Sequence, residues 1–282
     1  MTRFATPLAL LALAAALAAP SRAQETGAAA YQSPYSVRFS YPASDLIGDI
    51  ESGGRGDFKQ HSSLAYAAWY SEATRRRWGA WGVPFKNFEP PAGIEGKGPQ
   101  WKRERVLAVA LRYVGYSYQH HHLPDWEPPA GWPWLKVAAG HNGKGVDCSN
   151  FTAFVYSLAL GLRMSSAIGA QASQATLHVQ SRSVAVQSIA RPASFDACVR
   201  ELKTGDLLYI RALSGQVSHV VLWAGSIVRS PDGTPLVLDS TGSGHLDCEG
   251  HSIPDGVQLR PFTRSSWYFN SLSHIHRAIP DD

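Results

Sequence analysis

Lys144-Gly145-Val146-Asp147-Cys148-Ser149-Asn150-Phe151 leads directly into Phe151, Phe154, Val155, Leu158 and Leu162, which are apolar at helical spacing. Gly161 stands where such a helix should stop, and Asp147 and Ser149 are both natural caps for its start. Cys148 therefore falls at or within the first turn. Free amide N–H groups and the positive end of the helix dipole meet there, and both favour a thiolate over a thiol. A cysteine in mid-helix is inert packing; one at a helix start is a candidate nucleophile. Position alone is weak evidence, because many helices begin near a cysteine without using it.

The signal strengthens further along the chain. Thr204-Gly205-Asp206 opens a strand, Leu207 to Ile210, and Ser218 to Trp223 reads as a second strand with His219 near its start. A third, Pro235 to Ser240, carries Asp239 at its far end. A thiolate at a helix N-terminus, a histidine on one strand and a carboxylate on the next are the parts of a Cys–His–orienter triad.

The order Asp147-Cys148-Ser149, Gly205-Asp206-Leu207, His219-Val220 and then a polar third member resembles the NlpC-type family of bacterial cell-wall cysteine peptidases. The resemblance runs from about Trp101 to Ile279. It implies a papain-like hydrolase that cuts the peptide stems of peptidoglycan, with Cys148 on the family nucleophile and His219 on the general base. Asp239 falls on the third member, where histidine is more usual. Gly115-Tyr116-Ser117-Tyr118 resembles the segment upstream of the cysteine, so Tyr118 is expected to line the site. The resemblance also implies that Asp147 and Ser149 grip the stem peptide; read from the residues alone, both simply cap the helix. Two departures stand out: Asn150 replaces the usual glycine after Asp-Cys-Ser, and a Gly-Gly turn after the tyrosine is missing.

The 282 residues suit one large domain, or one domain with an extension. A hydrophobic fraction of 44%, with 9 Trp, 11 Tyr and 10 Phe, is ample for a packed core. Arg3 and Arg22 supply part of the net charge of +4, so basicity gives no argument for nucleic acid as a partner. Residues 1–23 read as a secretory signal peptide, with Arg3, an apolar run from Leu8 to Ala19, and Ser21-Arg22-Ala23 at the cleavage site. No cysteine follows that site to carry a lipid anchor, and no other stretch reaches the roughly 18 apolar residues of a membrane span. The expected location is periplasmic or secreted.

Export bears on the three cysteines. With Cys148 as nucleophile, Cys198 and Cys248 are left as a pair that an oxidising compartment could bridge. His245, Cys248 and His251 could instead suggest a metal, but ligands three apart in a loop with no fourth partner make a poor site, and adjacent His120-His121-His122 diverge too far to serve together. The expectation is that no metal or organic cofactor is needed.

Residues 24–100 read as an extension packed on a catalytic domain of 101–282. Within it, Gly53 to Asp57 is a turn cluster, Ser62 to Trp78 has helical character, and Arg55-Gly56-Asp57 is a plain turn rather than an integrin-type tripeptide. Trp101 to Val114 is a further helix, with Val106, Val109, Ala110 and Tyr113 on one face. The Pro-, Gly- and Trp-rich stretch 123–145 reads as an ordered loop near the cleft, its tryptophans anchoring the loop or stacking on sugar. His274 and His276 share a face of the last strand and read as surface residues. Helices first and consecutive strands afterwards give an α+β, papain-like arrangement, with the Cys helix packed on an antiparallel sheet.

The reading that follows is an exported cysteine-type endopeptidase cutting peptidoglycan stem peptides, between D-glutamate and the diamino acid. Two alternatives from other classes are a papain-like acyltransferase or thioesterase, and a catalytically inactive wall-binding module. Oligomeric state is left open.

Overall fold

The computed structural model describes residues 31–55, 73, 76, 86–116, 118, 146–242 and 244–281. Residues 1–23, read as a signal peptide, the histidine run 120–122, the loop expected at 123–145 and nearly all of the helix expected from Ser62 to Trp78 lie outside them. No helix among the described residues is long and apolar enough to cross a membrane.

Among the described residues, α1 (Ala43–Glu51), α2 (Pro99–Leu111) and α3 (Cys148–Leu160) pack together on one side of the sheet. Pro99 begins α2 at a position where no intrahelical N–H is required. The C-terminus of α3 shows what Gly161 is for. Its φ is +72°, and a Cβ there would come within 2.5 Å of the Pro90 nitrogen. Only glycine satisfies both demands.

The strands follow, with α4 (Ile168–Ala172), α5 (Phe195–Glu201) and α6 (Trp267–Asn270) between them. The main sheet has six strands, all pairing antiparallel. Their spatial order is β4 (Gln187–Ala190), β10 (Leu272–Arg277), β5 (Leu207–Arg211), β6 (Val217–Trp223), β8 (Leu236–Thr241) and β9 (Gly256–Pro261). Two short ribbons accompany it, β1 (Ser36–Val37) with β7 (Val228–Arg229), and β2 (Thr176–Val179) with β3 (Arg182–Ala185).

Side-chain alternation divides the sheet between two cores. Leu207, Tyr209, Val220, Leu222, Leu236 and Leu238 pack with the helices. Leu208, Ile210, Val221 and Val237 pack on the other side with Phe262, Tyr268 and Phe269. The α+β arrangement and the Cys helix on an antiparallel sheet are thus what the structure shows.

The described part of residues 24–100 shares the first core, where Leu46, Ile47 and Ile50 of α1 join Val106 and Val109 of α2. Arg105 pins the two helices together: its guanidinium takes Asp49 at 2.8 and 2.6 Å, and its Nε donates to the Ala159 carbonyl at 2.6 Å. Arg55, from the expected turn, points inward to the Leu158 carbonyl at 3.0 Å.

Two expectations are corrected. Cys198 and Cys248 are free thiols and are not paired: Cys198 is buried in the second core while Cys248 packs against the first. His274 and His276 are not surface residues. β10 lies between β4 and β5 rather than at an edge, so His276 is buried and His274 half-buried, both against the Tyr209 ring. Burial, then the neighbouring His274, pushes the His276 imidazole down to about 4.

Candidate active site

Asp147 is the N-cap of α3, and its Oδ1 accepts the Asn150 amide at 2.7 Å. Cys148 is therefore the first helical residue, as its surroundings in sequence predict, although it is only 5% exposed. Ser149 donates to the Ser166 carbonyl at 2.7 Å and approaches Asp147 Oδ1 at 3.3 Å. Both flanking side chains thus have structural work, and both are buried.

Two polar clamps fix the start of this helix. Gln171, on α4, donates to the carbonyls of Ser149 and Ser165 at 3.0 and 2.8 Å and accepts from Thr152 at 3.2 Å. On the other side, Ser240 of β8 donates to the Val146 carbonyl at 2.7 Å. That bond ties the approach to Cys148 directly to the strand that carries Asp239. Tyr118 forms an isolated parallel bridge with Val146, which sets its backbone beside the same segment.

His219 sits near the start of β6, paired across the sheet with Ile210. Its Nε2 lies 2.9 Å from Asp239 Oδ1, and the ring also contacts Cys148. The Nε2–Oδ1 approach is close but off the ideal hydrogen-bond direction, so it acts first as an ion pair. Burial by itself would lower the His219 pKa; the charges of Asp239 and Cys148 and their hydrogen bonds outweigh it and push the pKa up to about 10. Burial likewise opposes the Asp239 carboxylate, and His219, Arg260 and Tyr268 more than compensate, holding it below the usual range. Tyr118 is pushed up to about 12, by burial and then by Cys148, Asp147 and Asp239, so it stays protonated as an O–H donor.

The residues expected from sequence are thus in one place: His219 contacts both Cys148 and Asp239, with Tyr118, Asp147 and Ser149 around Cys148. Sequence reading missed the surroundings of Asp239. Tyr268 donates to its Oδ2 at 2.7 Å, and Trp267, 40% exposed, lies with its ring 5.3 Å from the imidazole. Their only local signal is the run Ser266-Trp267-Tyr268-Phe269, in which Ser266 caps a four-residue helix. His245 stacks on Tyr268, while His251 faces Asp247 and Glu249 at 3.6 and 3.5 Å.

A family model matches residues 137–254, and its description is the NlpC/P60 family. This stretch is of the NlpC/P60 family. It contains Cys148, His219 and Asp239, the three side chains in contact. Among solved structures, an NlpC/P60 family protein from Bacillus cereus is similar at 18% identity over 68% of this chain, with a TM-score of 0.36. The NlpC/p60 domain of the peptidoglycan hydrolase SagA gives 19% identity over 61% of this chain and 96% of its own length, with a TM-score of 0.34. NlpC1 from Trichomonas vaginalis gives 16% identity over 62%, with a TM-score of 0.36. The chain spans 41% of the Bacillus cereus protein and 44% of the Trichomonas vaginalis one. These likenesses are distant, and the architecture rests on the strands and helices described above. No curated protein matches the chain.

Proposed function

We propose that the protein is an exported cysteine endopeptidase that hydrolyses an amide in peptidoglycan stem peptides, between D-glutamate and the diamino acid. The observation that carries this reading is the contact series Cys148–His219–Asp239 at the N-terminus of α3, inside the stretch that matches NlpC/P60. The family resemblance supplies the substrate class, and the leader-like residues 1–23 support export.

In this reading Cys148 Sγ attacks the scissile acyl carbon while His219 holds the proton that the thiol has given up. The developing oxyanion meets the backbone N–H of Cys148, a first-turn amide with no acceptor within the helix, and the Tyr118 hydroxyl. His219 passes its proton to the departing amine, leaving an acyl-enzyme thioester. It then takes a proton from water, whose oxygen attacks the thioester and releases the acid and the thiol. Asp239 keeps the imidazole aimed and stabilises its charged form. Asp147 and Ser149 set the helix start, and their remaining lone pairs are the proposed contacts to the stem. An inactive module would be missing one of the three reacting side chains, and here each position is filled by a competent one.

Digestion of purified peptidoglycan tests this. The wild-type protein should release soluble fragments whose mass shows stem cleavage, and Cys148→Ala should release none while keeping its circular dichroism spectrum. Release by the pure variant would remove Cys148 from the mechanism. An acyl ester cleaved in preference to the wall would favour the acyltransferase or thioesterase reading.

A further inference from the structure

Asp239 has a second partner besides His219. Tyr268 donates its phenol to Oδ2 at 2.7 Å while Oδ1 faces His219 Nε2 at 2.9 Å. The phenol has one proton, and an ionised carboxylate can only accept. His245 Nε2, 3.2 Å from the same phenol oxygen, must therefore be the N–H donor of its own contact. The two rings are also stacked, with centroids 5.1 Å apart and planes 5° apart. Tyr268 lies outside the stretch that matches NlpC/P60.

There is also a competitor for the carboxylate. Arg260, on β9, is fully buried, and its Nε and Nη1 have no hydrogen-bond partner among the described residues. Among the described residues its bonds run from Nη2 to the carbonyls of Pro254 and Gly256, at 2.8 and 3.2 Å. Its charge acts on Asp239, and a buried guanidinium with unmet donors attracts any carboxylate free to turn toward it.

We propose that Tyr268 is a positioning residue of the Cys148–His219–Asp239 site: its hydroxyl, oriented by His245, holds Asp239 on His219 and away from Arg260. The inference rests on the catalytic reading of those three residues. The charged and titratable groups that bear on the arrangement are His219 on β6, Arg260 on β9, Tyr268 on α6, His245 after β8, Cys148 on α3 and Tyr118. Without the hydroxyl, Asp239 turns toward Arg260. The imidazolium then loses its counter-charge, and the Cys148 thiolate loses its imidazolium.

The test compares Tyr268→Phe, His245→Ala and His245→Gln with the wild type by two readouts. One is kcat and KM on a soluble muropeptide. The other is the pH dependence of Cys148 alkylation by iodoacetamide, followed at that residue by peptide mass, which needs no substrate. Tyr268→Phe should lower kcat roughly tenfold with KM nearly unchanged. It should also move the acid limb of the alkylation profile up by about one pH unit, the shift equivalent to a tenfold loss of ion pair. His245→Ala should shift the same limb by less, and His245→Gln, which retains an N–H donor, should restore it. A purely structural tyrosine would leave the pH profile in place, so a folded Tyr268→Phe with wild-type kcat and profile overturns the proposal. If Tyr268→Phe fails to fold, the His245 pair decides: a shift in the alanine variant reversed in the glutamine variant supports it, and wild-type profiles in both overturn it. A wild-type protein that leaves muropeptide intact contradicts the substrate reading, while the alkylation profiles still decide the role of Tyr268.

Discussion

Asp239 and Cys148 set the protonation of His219, and this has a measurable sign. The folded imidazolium has a pKa near 10 against the ordinary 6.5, so its contribution to stability is fully present below 6.5 and is lost as pH rises toward 10. The alkaline limb of kcat/KM should accordingly lie well above the ordinary histidine range. In Asp239→Ala it should move down, with kcat falling far more than KM. A pH–rate profile of both proteins checks this; coincident alkaline limbs would mean that Asp239 does not control the imidazole. Cys148 and His219 were legible in the sequence because each carries a local mark, a capped helix start and a strand start. Ser240, the nearest polar alternative to Asp239, alternates to the opposite face and is engaged with Val146. Tyr268 and Arg260 carried no such mark, since only the spatial order of α6, β8 and β9 brings them to Asp239.

At the scale of elements, α3 is defined at both ends by its sequence. Asp147 caps the start, and Gly161 ends it in a left-handed conformation pressed against Pro90. Gly161→Ala should destabilise by more than the roughly 1 kcal/mol of the conformational penalty alone, because the Pro90 backbone must also give way. A lowered urea midpoint with an unchanged slope is the expected result, and an unchanged midpoint would contradict it. The strands β5, β6 and β8 were legible from their short apolar runs. By contrast, β3 and β4 are mostly exposed and have no apolar alternation to betray them. β10 was recognised as a strand but misread in its burial. Its two histidines look polar in sequence, yet an interior strand buries residues that an edge strand would expose.

The whole molecule is held at its sheet end by a buried charge cluster. Arg277 on β10 takes Asp206, at the start of β5, at 2.8 Å, and Arg103 of α2 approaches the same carboxylate at 3.7 Å. Burial lifts the Asp206 carboxyl above its usual value even with Arg277 on it, so the cluster fixes geometry more than it adds stability. Asp206→Ala should nevertheless cost about 3–5 kcal/mol, because two buried guanidinium groups lose their carboxylate; thermal unfolding measures it, and an unchanged midpoint would contradict the anchoring role. Such links between distant segments, like that of Arg105 to Asp49, are not written in any local pattern, which is why residues 24–100 read only as an extension. The central claim, that Cys148 cleaves a stem amide, is tested most directly by incubating the purified protein with a defined muropeptide and weighing the products. The account predicts a fragment that begins with the diamino acid, formed by the wild type and not by Cys148→Ala. A muropeptide left whole, or cut only in its glycan, would contradict it.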